Sequence, residues 1–133
     1  MIFLDASVLL AAEDTGDPEH DASLAVLTSA NLATLDLALY ETANVAVTSW
    51  RDQDAAARLA ERIWAIADFG TLVRVDRQLG TVATKISAQH GLSAYDAGYV
   101  AGARKLGFVL ASCDQRDLVK PGHAQLPSTL AAL

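Results

Sequence analysis

With 133 residues, 52% of them hydrophobic, the chain has enough apolar material for one core of useful size and leaves little room for another, so a single domain spanning residues 1–133 is expected. Its formal charge of −6 disfavours a uniformly basic nucleic-acid coat, and its single cysteine, Cys113, excludes an intramolecular disulfide scaffold. The charge is unevenly placed: residues 1–50 hold eight acids and no Lys or Arg, whereas residues 51–133 hold eight acids and all ten bases.

The chain opens Met1-Ile2-Phe3-Leu4-Asp5, an apolar run broken by acid too early for a signal peptide or a membrane span, so a soluble cytoplasmic protein is expected. Ile2 to Leu4, apolar without alternation, suits a strand buried on both faces of a parallel sheet. Ala6 to Glu13 reads as a helix, and Asp14-Thr15-Gly16-Asp17-Pro18 as a turn. Pro18, preset for a first helical turn, opens a second helix to about Ala30, and Leu32 to Leu35 forms a short strand. From Leu37, residues recur at helical spacing through Tyr40, Val45 and Thr48, which predicts a helix of about three turns carrying Glu41 and Asn44 on one face.

Beyond the polar stretch Ser49 to Asp54, Leu59, Ile63, Ile66 and Ala67 line one side of an amphipathic helix that Phe69-Gly70 closes. Thr71 to Val75 is short and β-branched, hence a strand. Asp76 caps a helix carrying Leu79, Val82, Ala83 and Ile86, which Gly91 stops. Ser93 starts another helix, ending near Gly107. Phe108 to Ala111 is again continuously apolar and leads into Ser112-Cys113-Asp114, the same strand-then-acid ending as at Asp5. Strands alternating with helices predict an α/β fold with a central parallel sheet, in which ligand sites gather at the carboxyl ends of the strands.

The acids predicted near that edge each have a structural explanation of their own. Asp5 can cap the helix that follows it, and Ser7 shares that role. Glu41 interrupts a helix that is apolar on most sides; buried there without a partner it would be strongly unfavourable, so it should meet a cation, a donor or a wet cleft, with Asn44 as support. Asp96 completes the capping-box pattern Ser93-Ala94-Tyr95-Asp96 and complements the helix dipole. Asp114 and Asp117 flank Gln115-Arg116 in a polar turn, where acids are common. Only as a set do they point to chemistry.

Asp5-Ala6-Ser7-Val8-Leu9-Leu10, Tyr40-Glu41-Thr42-Ala43-Asn44, Tyr95-Asp96-Ala97-Gly98-Tyr99-Val100-Ala101 and Ser112-Cys113-Asp114-Gln115-Arg116-Asp117-Leu118 resemble, in order and spacing, the four acidic motifs of PIN-domain ribonucleases. Length and spacing are similar to those of VapC toxins of bacterial toxin–antitoxin pairs; Ser112 stands where that family more often has Thr. The resemblance implies a PIN-like three-layer α/β/α domain that hydrolyses RNA phosphodiesters as an endoribonuclease and inhibits translation and growth. It implies that Asp5, Glu41, Asp96 and Asp114 hold one or two Mg²⁺ or Mn²⁺ ions, with Asp117 as a further ligand candidate and Ser7, Asn44, Ser112 and Arg116 in support. Oxygen-only ligands, with no Cys or His at ligand spacing, also favour such hard ions over zinc.

The partners implied are RNA, a VapB-type antitoxin whose C-terminal segment covers the acidic groove, and a second copy in a homodimer; Trp50 and Trp64 are candidate interface residues. Among the later bases Arg74, Arg77, Lys85, Arg104, Lys105, Arg116 and Lys120, Arg116 is the foremost candidate for phosphate because it lies between Asp114 and Asp117. His20, His90 and His123 read as isolated surface or turn residues.

Two other readings fit the α/β pattern. A response-regulator-like phosphoacceptor domain would pair adjacent N-terminal acids with a mid-chain Asp ending a strand, but Asp5 lies between Leu4 and Ala6, and Asp52 and Asp54 open a helix. A non-cleaving PIN-like module would bind RNA or protein with the same fold. A dehalogenase-type phosphatase needs a second acid that Asp5-Ala6-Ser7 lacks, and the chain has no P-loop.

Overall fold

The apolar runs become the strands of one sheet. The structure, a computed structural model, describes residues 1–132. β1 (Ile2–Leu4), β2 (Leu32–Leu35), β3 (Thr71–Val73) and β4 (Val109–Ala111) are all parallel, in the order β3-β2-β1-β4. The chain winds outward from β1 to β3 and then crosses back to β4, so the reversal falls between β1 and β4, where the carboxyl ends of parallel strands leave a crevice. Asp5 and Asp114 follow those two strands.

Two helical layers enclose the sheet. α6 (Ala94–Leu106) packs across β1, β2 and β4, with α5 (Arg77–His90) against it. The other layer holds α1 (Ala6–Glu13), α2 (His20–Leu27), α3 (Ala38–Asn44) and α4 (Gln53–Phe69), with α7 (Pro127–Ala131) against α2. Phe3 and Leu4 are wholly buried at the centre, and α6 comes close to the sheet because Gly102 has no side chain: a Cβ there would lie 2.5 Å from Phe3 Cζ. This is the three-layer α/β/α arrangement expected from the sequence, and its four-stranded sheet with β1 between β2 and β4 does not have the strand order of a receiver domain.

Local signals account for most boundaries. Asp5, Asp76 and Ser93 each accept a backbone N–H at a helix start, and Gly91 and Gly107 end α5 and α6 with φ of 67° and 69°, a region open to glycine. The acidic first half finds its cations in α4, where Arg58 and Arg62 donate to opposite oxygens of Glu13 at 3.1 and 2.8 Å.

Several expectations need correction. The second helix starts at His20, not Pro18, because Asp17 folds Glu19 and His20 into a turn through its side chain and carbonyl, and it ends at Leu27. The third strand stops at Val73, and the fourth starts at Val109. The helix after Leu37 is α-helical only to Asn44 and continues as a π-helical turn over Val45–Ser49. Its buried stripe is Ala38, Thr42 and Ala46, whereas Tyr40 is 79% exposed. Small residues carry that face, so the large apolar ones pointed to the wrong side. Among the described residues, no helix is long and apolar enough to cross a membrane.

Candidate functional site

At the end of β1, Asp5 turns its side chain back over the first turn of α1. Its Oδ1 accepts from Ser7 Oγ at 2.5 Å, from the Ser7 N–H at 3.0 Å and from the Val8 N–H at 3.3 Å. Its N–H bonds Ala111 at the end of β4. Asp5 is therefore a helix cap as well as a site candidate. Burial pushes its pKa up to about 6 despite these bonds, and the charge of Asp96 adds to the rise.

At the end of β4, buried Ser112 accepts the Asp114 N–H at 3.0 Å, and Asp114 Oδ1 in turn accepts the Asp117 N–H at 3.0 Å, opening a π-helical turn over Gln115–Val119. That turn swings Asp117 back toward Asp114. α6 supplies Asp96, whose N–H donates to Ser93 Oγ at 3.1 Å. One carboxylate oxygen from each of Asp96, Asp114 and Asp117 lies within 4.8 Å of the others. Burial, then the charges of Asp114 and Asp117, raise the pKa of Asp96.

Glu41 faces this group from α3. Its Oε1 is buried with no hydrogen-bond partner. Its pKa is raised by burial, a rise that the nearby Tyr99 hydroxyl opposes and Asp96 reinforces. Asp96 thus repels both Asp5 and Glu41, which makes it the electrostatic centre of the set.

The sequence reading gave no role to Tyr99. Its ring is 1% exposed, and its hydroxyl is buried without a partner within hydrogen-bond geometry. Burial, then the charges of Glu41, Asp5 and Asp96, push its pKa above the ordinary phenol range, so it stays a neutral donor. A Tyr three residues after Asp96 on the same helix was the available signal, since both fall on one face.

Other candidates separate from the set. The Asn44 side chain is exposed and makes no hydrogen bond to Glu41 among the described residues. Arg116 forks onto Asp117 at 3.1 and 3.2 Å and is otherwise in solvent. Trp50 packs partly against the core, while Trp64 is 45% exposed beside Tyr40, Leu72 and Val75. His90 and His123 are not isolated, because their rings meet edge to face at 4.8 Å.

The geometry can hold a cation. The grouped donors are all carboxylate oxygens, they repel one another, and one buried oxygen lacks any donor; a hard divalent ion fits such a set.

Comparison with known proteins bears on this arrangement. The PIN domain family model matches residues 2–122. Ribonuclease VapC3 of Pyrobaculum aerophilum is 31% identical over 124 residues, covering 86% of this chain and 90% of its own length. In fold, the chain is similar to the sarcin–ricin-loop-cleaving toxin VapC20 of Mycobacterium tuberculosis, with TM-score 0.77 and 23% identity over 92% of this chain and 95% of that one. It is also similar to a chain of a toxin–antitoxin complex from Klebsiella pneumoniae, with TM-score 0.72 and 13% identity over 96% of this chain and 98% of that one.

Proposed function

Since the chain belongs to the PIN domain family, we propose that it is a VapC-type endoribonuclease, dependent on Mg²⁺ or Mn²⁺, that acts in the cytoplasm as the toxin of a VapBC pair and inhibits translation and growth. The observation that carries the reading is the convergence of Asp96, Asp114 and Asp117 within 4.8 Å, with Asp5 and Glu41 coupled to Asp96. Asp96, Asp114 and Asp117 would hold the metal, and Asp5 and Glu41 complete the acidic wall. When bound, the metal would offset the mutual repulsion of the acids, polarise the attacking water and stabilise charge on the phosphate.

The chain's own groups then have distinct tasks. Ser7 and Ser112 orient the acids at the two strand ends. Glu41 Oε1, unpaired and of raised proton affinity, would take the proton of the attacking water. Tyr99 stays protonated beside it and can donate to the carboxylate once that is ionised. Cys113 does not compete as nucleophile, because burial pushes its thiol up to about 12 and keeps it protonated near neutral pH. The products would be a 5'-phosphate and a 3'-hydroxyl.

The partners proposed are a VapB-type antitoxin and a second copy of the chain; exposed Tyr40, Trp64 and Val75 around a shallow cavity offer apolar surface for one of them. A non-cleaving RNA-binding module is the competing reading. Incubating purified, antitoxin-free protein with RNA decides between them. Cleavage that needs Mg²⁺ or Mn²⁺, stops with EDTA and is lost in Asp96→Asn supports the nuclease; undiminished cleavage by Asp96→Asn would sink that residue's role.

A further inference from the structure

Four of the chain's ten Lys and Arg side chains are paired with acids among the described residues: Arg58 and Arg62 with Glu13, Lys105 with Asp76, Arg116 with Asp117. Arg104 has no carboxylate within ion-pair distance among the described residues. With His123 and Gln125 it lines a cavity of about 270 Å³ between the carboxyl half of α6 and the segment that returns beside β4. His90, at the end of α5, stands edge to face on His123 at 4.8 Å. Burial, then the neighbouring His90 and Arg104, hold His123 below the ordinary histidine range. Three groups able to carry positive charge thus gather without an acid in a chain of net charge −6, which describes a site fitted to an anion.

We propose that Arg104, His123 and His90 bind a phosphate group, and, resting on the ribonuclease reading above, that this group is a backbone phosphate of the RNA strand cut at the acids. Asp96, Val100 and Arg104 fall at successive i, i+4 positions of α6, so Arg104 lies about 12 Å along the helix axis from Asp96. The other wall is tied to the acids as well: the N–H groups of His123 and Ala124 both donate to the carbonyl of Leu118, in the π-helical turn that carries Asp117. Arg104 supplies the fixed charge and a planar fork of donors, and the imidazole N–H groups supply neutral donors. A strand held here and at the acids would be fixed in direction, with a net acidic protein contacting it at a locally cationic point.

Two measurements test this. Titrating the metal-free protein with inorganic phosphate, followed by the imidazole C–H resonances of its three histidines, should move His90 and His123 but not His20, with a response roughly tenfold weaker in Arg104→Gln and only partly restored in Arg104→Lys, which returns the charge without the planar fork. In the Asp96→Asn background, Arg104→Gln should weaken binding of a fluorescent oligoribonucleotide several-fold and lower the salt slope by about 0.7. No response of the histidine pair to phosphate overturns the site. A phosphate response with RNA affinity and salt slope unchanged in Arg104→Gln overturns the assignment to the strand and leaves a site for free phosphate. A phosphate response in a protein that neither binds nor cuts RNA overturns the ribonuclease reading while the anion site stands.

Discussion

The hydroxyls of Ser7 and Ser112 lie 3.4 Å apart, and through them the carboxyl ends of β1 and β4 share one polar network. Ser7 Oγ donates to Asp5 and accepts the Cys113 N–H at 2.8 Å, while Ser112 Oγ accepts the Asp114 N–H. Acids separated by more than a hundred residues are therefore oriented by neighbouring hydroxyls.

Replacing Ser7 with Ala should unfold the protein at lower denaturant. The change leaves the Cys113 N–H without its acceptor and removes a donor to buried Asp5, a loss of about 1–3 kcal/mol for groups shielded from water. Urea denaturation reads it as a lower midpoint at unchanged slope. An unchanged midpoint would mean that water replaces the hydroxyl and that the network does not hold the strand ends together.

The contribution of Asp5 to the stability of the metal-free protein should fall as pH rises through the acidic range. The unfolded chain ionises Asp5 near its ordinary 3.8, whereas the folded chain keeps the proton up to about 6. The folded state binds more protons between those values, so the contribution of Asp5 to stability is greatest below about pH 4 and declines to its lowest above about pH 6, by roughly 3 kcal/mol at most. Glu41 and Asp96 shift in the same direction. Divalent cation, favouring the ionised forms, should raise Tm more at pH 7.5 than at pH 5, and Asp5→Asn should raise the metal-free Tm at pH 7.5. A Tm difference between Asp5→Asn and the parent that is the same at pH 4 and pH 7.5 would contradict the buried, proton-holding carboxylate.

Much of this was legible locally. β1 ends where the apolar run meets Asp5, α1 spans Ala6–Glu13 as its composition predicts, and the caps at Asp76 and Ser93 and the stops at Gly91 and Gly107 follow from single residues. The misreadings arose where burial is carried by small or polar groups: the inner stripe Ala38, Thr42 and Ala46 has little hydrophobic signal, and the two π-helical turns have none. The close approach of Asp117 to Asp96 and the pairing of His90 with His123 depend on packing between distant elements, which no spacing rule encodes.

Gly102→Ala should destabilise the fold by about 1–3 kcal/mol, although Ala is the better helix former. Its Cβ would sit 2.5 Å from Phe3 Cζ and 3.0 Å from Cε2, and Phe3 is wholly buried, so its ring must shift within the core. The control is Gly80→Ala on α5, where a Cβ meets nothing within 4 Å; that change should stabilise by up to about 1 kcal/mol. Denaturation midpoints that move the same way in both variants would refute the close contact of α6 with β1.

Tyr99→Phe separates the needs of the fold from those of the site. In the metal-free protein the Tyr99 hydroxyl is buried and unpartnered, so removing it deletes a desolvated polar group and should leave stability unchanged or raise it by about 1 kcal/mol. The same hydroxyl lies where it can stabilise ionised Glu41, and in the proposed site a cation held beside the acids would favour that ionised form. Losing the donor should therefore weaken Mn²⁺ binding several-fold, measured by calorimetry at pH 7.5, with RNA cleavage at limiting Mn²⁺ reduced and partly recovered at saturating Mn²⁺. A variant that loses stability but binds Mn²⁺ as before would make Tyr99 a core residue only. Preserved stability with weakened Mn²⁺ binding would place its hydroxyl in the service of Glu41.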